Sequence, residues 1–499
     1  MTSIDPYLTE PDLILLRNLF EDNARQFRTR AKHNEQQHPD DHKSPSIAHA
    51  TDDSDDSALE RMKALNDPTS PDFEPTVFAT WDAKDIHPTL QKYLIQPYIK
   101  VASNIVRHPT DVIFLTHILL YLSVNVPSAV YLYYNFTYLH GIAHVAFTFW
   151  CTGGFTLMMH NHIHNNGVLS KGWAWLDLTF PYILEPLMGH TWDSYYYHHV
   201  KHHHVEGNGP EDLSSTIRYQ RDNVWHFLHY LGRFLFLIWL DLPLYFLRKN
   251  KTKLAAKSFF SEIASMTFMI FMTTKVNFRA SIFTLIIPFI LLRLGLMIGN
   301  WGQHALVDEI EPDSDFRSSI TLIDVPSNRF CFNDGYHTAH HLNPRRHWRD
   351  QPLHFLQSKK AYAEGRALVF HNIDYLMLTY RLLTKDYAKL AECLVPIGEQ
   401  IGMSLQEIAT MLRTKTRAFT EEEIREKFGT AASSSCATIS KMMKQEKELK
   451  MKPRRKSVAL SWKAAIVNAG ALAPSALGLL AFGPSGVEAE VVHGHTKAQ

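Results

Sequence analysis

The chain has 499 residues, more than one core usually fills, so a main domain with appended regions is expected. Its 51 Lys and Arg against 50 Asp and Glu leave a net charge of +1, which argues against a nucleic-acid binder acting through bulk charge. Four scattered cysteines (Cys151, Cys331, Cys393, Cys436) form no CxxC pair, which argues against a disulfide scaffold or a thiolate metal site and fits the reducing side of a membrane.

At the N-terminus, Asp5, Glu10 and Asp12 stand where a secretory signal would carry basic residues, so no signal or transit peptide is expected. Residues 29–75 are rich in Asp, Ser, His and Pro and read as disordered, within a polar, largely disordered region spanning 1–90. Residues 112–134 and 139–159 are each long and apolar enough to cross a hydrocarbon core. The short link between them makes a hairpin. Residues 259–274 and 282–299 form a second, with Glu262 inside its shorter member.

A fifth apolar segment, 225–247, carries His226, His229, Arg233 and Asp241 within its pattern. If it crossed the membrane, the histidine clusters on either side of it would face opposite compartments. It is therefore expected to lie along the surface, with the basic linker after it (Arg248, Lys249, Lys251, Lys253, Lys257) in the cytosol. The fold expected is an all-α integral membrane protein: four transmembrane helices in two hairpins under a cytosolic helical cap.

Histidine clusters adjoin these segments, and the chain has 29 histidines in all. Imidazole is the commonest nitrogen ligand for transition metals, and histidines three or four apart on a helix share a face. His160 and His164 extend the second membrane helix beyond the bilayer, with His162 aimed elsewhere. The string from His198 to His204 allows two registers, His199-x-x-His202-His203 and His199-x-x-x-His203-His204, of which the second is preferred. The third cluster is His337-x-x-His340-His341. Asn300 and His304, four apart at the end of the last membrane helix, mirror the first pair; His304 is a ligand candidate and Asn300 a candidate for holding a ligand water. Asp193, Glu206, Asp212 and Asp334 are candidates to receive the other ring N–H of a ligand.

Together these residues resemble the membrane fatty-acid desaturase superfamily, whose members carry HxxxH, Hxx(x)HH and HxxHH boxes. The resemblance covers about residues 112–348, in a catalytic domain placed at 91–350. It implies a non-haem di-iron centre using dioxygen, with His160, His164, His199, His203, His204, His304, His337, His340 and His341 as ligands and His202 as the alternate. It also implies a lipid or acyl-thioester chain as substrate, entering a channel beneath the metals. The chain has no HPGG cytochrome signature, so a separate donor, such as a b-type cytochrome and its reductase, is expected. The location implied is the endoplasmic reticulum or another endomembrane, with the site and both termini cytosolic. Hydroxylases and ketolases of the superfamily share the boxes. A non-enzymatic metal-binding or transport protein is the reading from another class; its ligands should lie at mid-membrane depth.

Beyond the resemblance, 351–430 reads as a helical cytosolic region and 431–499 as a basic, low-order tail. That tail includes a basic run at 441–456, suited to anionic lipid or to phosphorylation at Ser457, and an apolar Ala- and Gly-rich stretch at 464–482.

Overall fold

A computed structural model describes residues 8–36, 53–78 and 86–429. The expectations for the tail at 431–499 lie outside the described residues. Five helices are long and apolar enough to cross a membrane by length and composition: α3 (Pro109–Tyr134), α4 (Tyr138–Asn165), α7 (Val224–Arg248), α8 (Thr252–Val276) and α9 (Phe278–Gln303). Four of them cover the two expected hairpins with longer bounds, and α7 is the fifth apolar segment.

Local chemistry sets their limits. Thr137 accepts a hydrogen bond from the His140 N–H at 3.3 Å to start α4, and Asn277 accepts from Ala280 at 3.1 Å to start α9. Asn166 ends α4 in the left-handed conformation, at φ 54°. In α3 and α9 a π turn (Tyr121–Asn125, Ile282–Ile286) immediately precedes a proline-bearing segment, at Pro127 and Pro288. Proline has no N–H and crowds the carbonyl four residues back, and a widened turn accommodates it without breaking the helix.

The contacts of these helices define two levels. At one, the Tyr133 hydroxyl near the end of α3 lies 2.9 Å from Ser281 Oγ, and Phe136 packs on Phe283 with ring centres 5.4 Å apart. At the other, Asp111 at the start of α3 accepts from His347 at 2.9 Å and Trp348 at 3.0 Å. The histidine-bearing ends of α4 and α9 lie at this second level. Both ends of α7 reach it too. Asn300 donates to Tyr230 at 2.7 Å, while Tyr245 donates to Glu206 at 2.6 Å and its ring packs 4.4 Å from that of His202. One face of α7 buries Phe227, Tyr230, Ile238, Leu242 and Tyr245; another exposes Trp225, Phe236 and Leu247.

α5 (Ala174–Leu187) packs on α3 and α9, and the cap is built from α6 (Tyr196–His203) and the segment after α9. There, β1 (Ile320–Ile323) pairs in parallel with β2 (Leu368–His371), and Ile320 is in register with Leu368. Around them lie α10 (His337–Leu342), α11 (Asp350–Gln357), α12 (Tyr375–Leu383), α13 (Tyr387–Cys393) and α14 (Leu405–Thr414). The small parallel sheet is a departure from the all-helical expectation.

The N-terminal region departs further. Residues expected to be polar and disordered include α1 (Glu10–Gln36) and α2 (Asp53–Asn66). Leu15, Leu16 and Leu19 of α1 and Met62 of α2 share a buried cluster with Ile323, Tyr336, Ala339 and Phe355 of the cap. These few apolar positions on one helical stripe are enough to dock a segment whose average composition is polar.

Candidate metal centre

Two groups of imidazoles meet at the cap. In the first, His160 and His164 come from α4, His199 and His204 from the second cluster and His340 from α10. Its Nε2 atoms approach closely: His160–His199 at 2.9 Å, His199–His204 at 3.1 Å, His204–His340 at 2.8 Å and His160–His340 at 3.0 Å. The second group unites His203, His304 and His341. His337 joins it, its Nε2 lying 3.0 Å from that of His304 and its ring centre 4.5 Å from that of His341. The groups abut, with the rings of His204 and His341 centred 5.2 Å apart.

The division of the second cluster follows from α6. The sequence reading put His199 and His203 on one face because an α-helix brings residues four apart together. Here the helix is a π-helix, and the His204 N–H reaches the His199 carbonyl five residues back. Residues five apart now align, so His199 and His204 share the first group while His203 turns to the second. His202 joins neither. It is fully buried, with Nε2 3.2 Å from the Glu211 carbonyl and 3.2 Å from the Leu213 nitrogen. His198, His202 and Asp212 form a looser third set, His202 Nδ1 lying 3.8 Å from Asp212.

The donors fit metal ions. Cis ligands on an octahedral ion with metal–nitrogen bonds of about 2.1 Å lie roughly 3 Å from each other, the spacing of the Nε2 atoms in the first group. The Nε2 atoms of His164 and His341 are buried without a hydrogen-bond partner, as expected of atoms that point at an ion. Burial holds His199, His204, His337, His340 and His341 well below the usual imidazole range and pushes His304 down to about 3. They are thus neutral, the form that ligates.

Outer contacts fix the rings of the second group. His203 Nδ1 is 2.8 Å from Asp212, and His304 Nδ1 is 2.9 Å from the Ser318 carbonyl. Burial alone would raise the Asp212 carboxyl, but the adjacent His203 holds it below the usual range. The other acidic candidates do not meet a ligand ring: Glu206 accepts from Tyr245 at 2.6 Å, Asp193 accepts from Tyr182 at 3.0 Å, and Asp334 lines the cavity, where burial lifts it to about 7. Asn300 donates to the Ser214 carbonyl at 2.9 Å and to Tyr230.

A cavity of about 820 Å³ runs below the groups, within the size range of ligand pockets. His160, His199, His203 and His337 line it at one end, and Leu120, Phe147, Trp150, Leu292 and Leu296 contribute apolar wall. Buried neutral imidazoles over an apolar cavity, set among membrane-length helices, define a helical membrane protein whose histidine groups could hold metal ions. The chain belongs to the fatty acid desaturase family, whose model matches residues 75–372, more than half its length. No curated protein and no solved structure matches it. Family membership makes this an oxidoreductase of the desaturase type, with a lipid substrate and a membrane setting.

Proposed function

We propose that the chain introduces a double bond into the acyl chain of a lipid or acyl thioester, using two irons. His160, His164, His199, His204 and His340 would hold one, and His203, His304, His337 and His341 the other, with Asn300 a candidate water-mediated contact. The observation that carries the reading is the pair of neutral nitrogen clusters, each with Nε2 atoms about 3 Å apart, at the end of one apolar cavity. When bound, an iron pair supplies, with dioxygen and two electrons, the oxidising power to take hydrogen from an unactivated methylene. The balance is –CH2–CH2– + O2 + 2 e⁻ + 2 H⁺ giving –CH=CH– + 2 H2O.

The chain's own residues orient the reaction. Leu120, Phe147, Trp150 and Leu292 exclude water from the acyl chain. Asp212 and the Ser318 carbonyl lock the tautomer and tilt of His203 and His304. Electrons come from a separate protein, for which a b-type cytochrome and its reductase are the proposed pair. The proposed setting is the endoplasmic reticulum or another endomembrane, with the site and both termini cytosolic and four crossings. The placement of both ends of α7 at the level of the histidines supports that count.

Two measurements test this. Protein purified anaerobically should hold close to two irons per chain, and one tightly bound zinc under iron-replete expression would refute the centre. Lipid profiling of cells with and without the gene should show an unsaturated product. A hydroxylated or keto product would instead assign the chain to those branches of the superfamily. No lipid change at all would favour metal handling.

A further inference from the structure

We infer that Arg293 and Glu262 form a subsite in the cavity wall that binds a neutral oxygen, hydroxyl or carbonyl, on the lipid substrate. This rests on the lipid-substrate reading above. Glu262 lies on α8 and Arg293 on α9, both within membrane-length helices, and they are only 4 % and 6 % exposed. Arg293 Nη2 donates to both carboxylate oxygens at 2.8 Å and lies 3.4 Å from Thr191 Oγ1, and Thr191 donates to Glu262 at 2.8 Å. The guanidinium lies over the Phe289 ring, 4.4 Å from its centre. All three polar residues line the cavity that ends at the histidines.

Ionisable side chains inside membrane segments are costly and mark functional positions more often than not. A purely structural staple between α8 and α9 would be served as well by an apolar pair. This pair is also incompletely satisfied. Arg293 Nη1 is buried without a partner, and among the described residues only Nη2 makes hydrogen bonds. A buried guanidinium donor left unmet calls for an acceptor. Glu262 already neutralises the charge, so a carboxylate or phosphate beside it would be repelled, whereas a hydroxyl or carbonyl oxygen would not. Arg293 precedes Asn300 by seven residues, about 10 Å along the helix. An oxygen held there sets which methylene lies below the histidines, so the subsite acts as a ruler for the position of oxidation.

The test uses metal-loaded full-length protein in nanodiscs, with octadecane and the positional series of octadecanols as probes. Wild type should bind one positional isomer at least about tenfold more tightly than octadecane. Arg293→Lys keeps the ion pair but engages its single ammonium with Glu262 and Thr191, and should lose that preference. The double variant Glu262→Met/Arg293→Met removes both charges together, leaves no unpaired ion and should also lose it. Comparing each variant with wild type cancels the partitioning of the probes into lipid. Absence of any positional preference in wild type, or its survival in both variants, overturns the subsite. Metal content is read on the same preparations. Failure with two metals retained overturns this inference alone, whereas a wild type without them overturns the centre beneath it.

Discussion

His202 and His204 differ by two positions and by everything that matters to a metal. His204 Nε2 lies within 3.1 Å of its counterpart in His199, whereas His202 is tied to the backbone at Glu211 and Leu213. His204→Ala is expected to cost one of two irons and all product formation. His202→Ala is expected to keep both metals and to lower stability by about 1–3 kcal/mol through lost packing and backbone hydrogen bonds. Metal analysis after anaerobic purification separates them, and the reverse pattern would move the register to His199-x-x-His202-His203. One layer out, Asp212 meets His203 Nδ1 with one oxygen and Ser214 N–H with the other, at 2.8 Å each. Asp212→Asn should weaken metal affinity by roughly 10–100-fold in a chelator competition, since an amide cannot accept from both. Unchanged affinity would show that Asp212 does not support the site.

At the scale of elements, the histidine boxes were legible because their residue type and spacing are rare, and His304 because it repeats the first pair at the end of its own helix. The pairing within the second box was not. The π-helix of α6 shifts the aligned interval from four residues to five, and nothing in the string from His198 to His204 announces it. The N-terminal helices were hidden differently: composition averaged over 1–90 conceals a docking stripe as short as Leu15, Leu16, Leu19 and Met62. That docking carries a carboxylate to the third box. Asp12, 1 % exposed, accepts from Asn328 at 3.0 Å and from the hydroxyl of Tyr336, the residue before His337.

Burial raises the Asp12 carboxyl from 3.8 to about 6 against the pull of those hydrogen bonds. The folded state therefore holds a proton that the unfolded state releases between those values. Stability contributed here is fully present below about pH 4 and declines as pH rises towards 6, by at most about 3 kcal/mol. Relative to Asp12→Asn, which does not titrate, the wild-type melting temperature should fall across that window and level off above it. A gap between the two proteins that does not change with pH would contradict the assignment.

For the whole molecule, the question is how five membrane-length helices bring all the histidines to one side. Four of them run between the level of Tyr133 and Ser281 and the level of the cap. If α7 were a fifth crossing, α8 would begin on the far side and α9 would deliver His304 away from His203. Yet the rings of His203 and His304 are centred only 5.3 Å apart. An α-helix rises about 1.5 Å per residue, so the fifteen residues from Tyr230 to Tyr245 cover roughly 22 Å, most of a hydrocarbon core of about 30 Å. Both tyrosines are nevertheless anchored at the level of the histidines, to Asn300 near the end of α9 and to Glu206 just after α6. Both anchors support the proposed position of α7 along the surface, with its exposed Trp225, Phe236 and Leu247 towards the lipid boundary. The link from α7 to α8 should consequently be cytosolic. Lys253→Cys in sealed vesicles should react with a membrane-impermeant thiol reagent applied from the cytosolic side and stay protected from the lumenal side. Labelling from the lumenal side would make α7 a true crossing and refute the four-crossing topology.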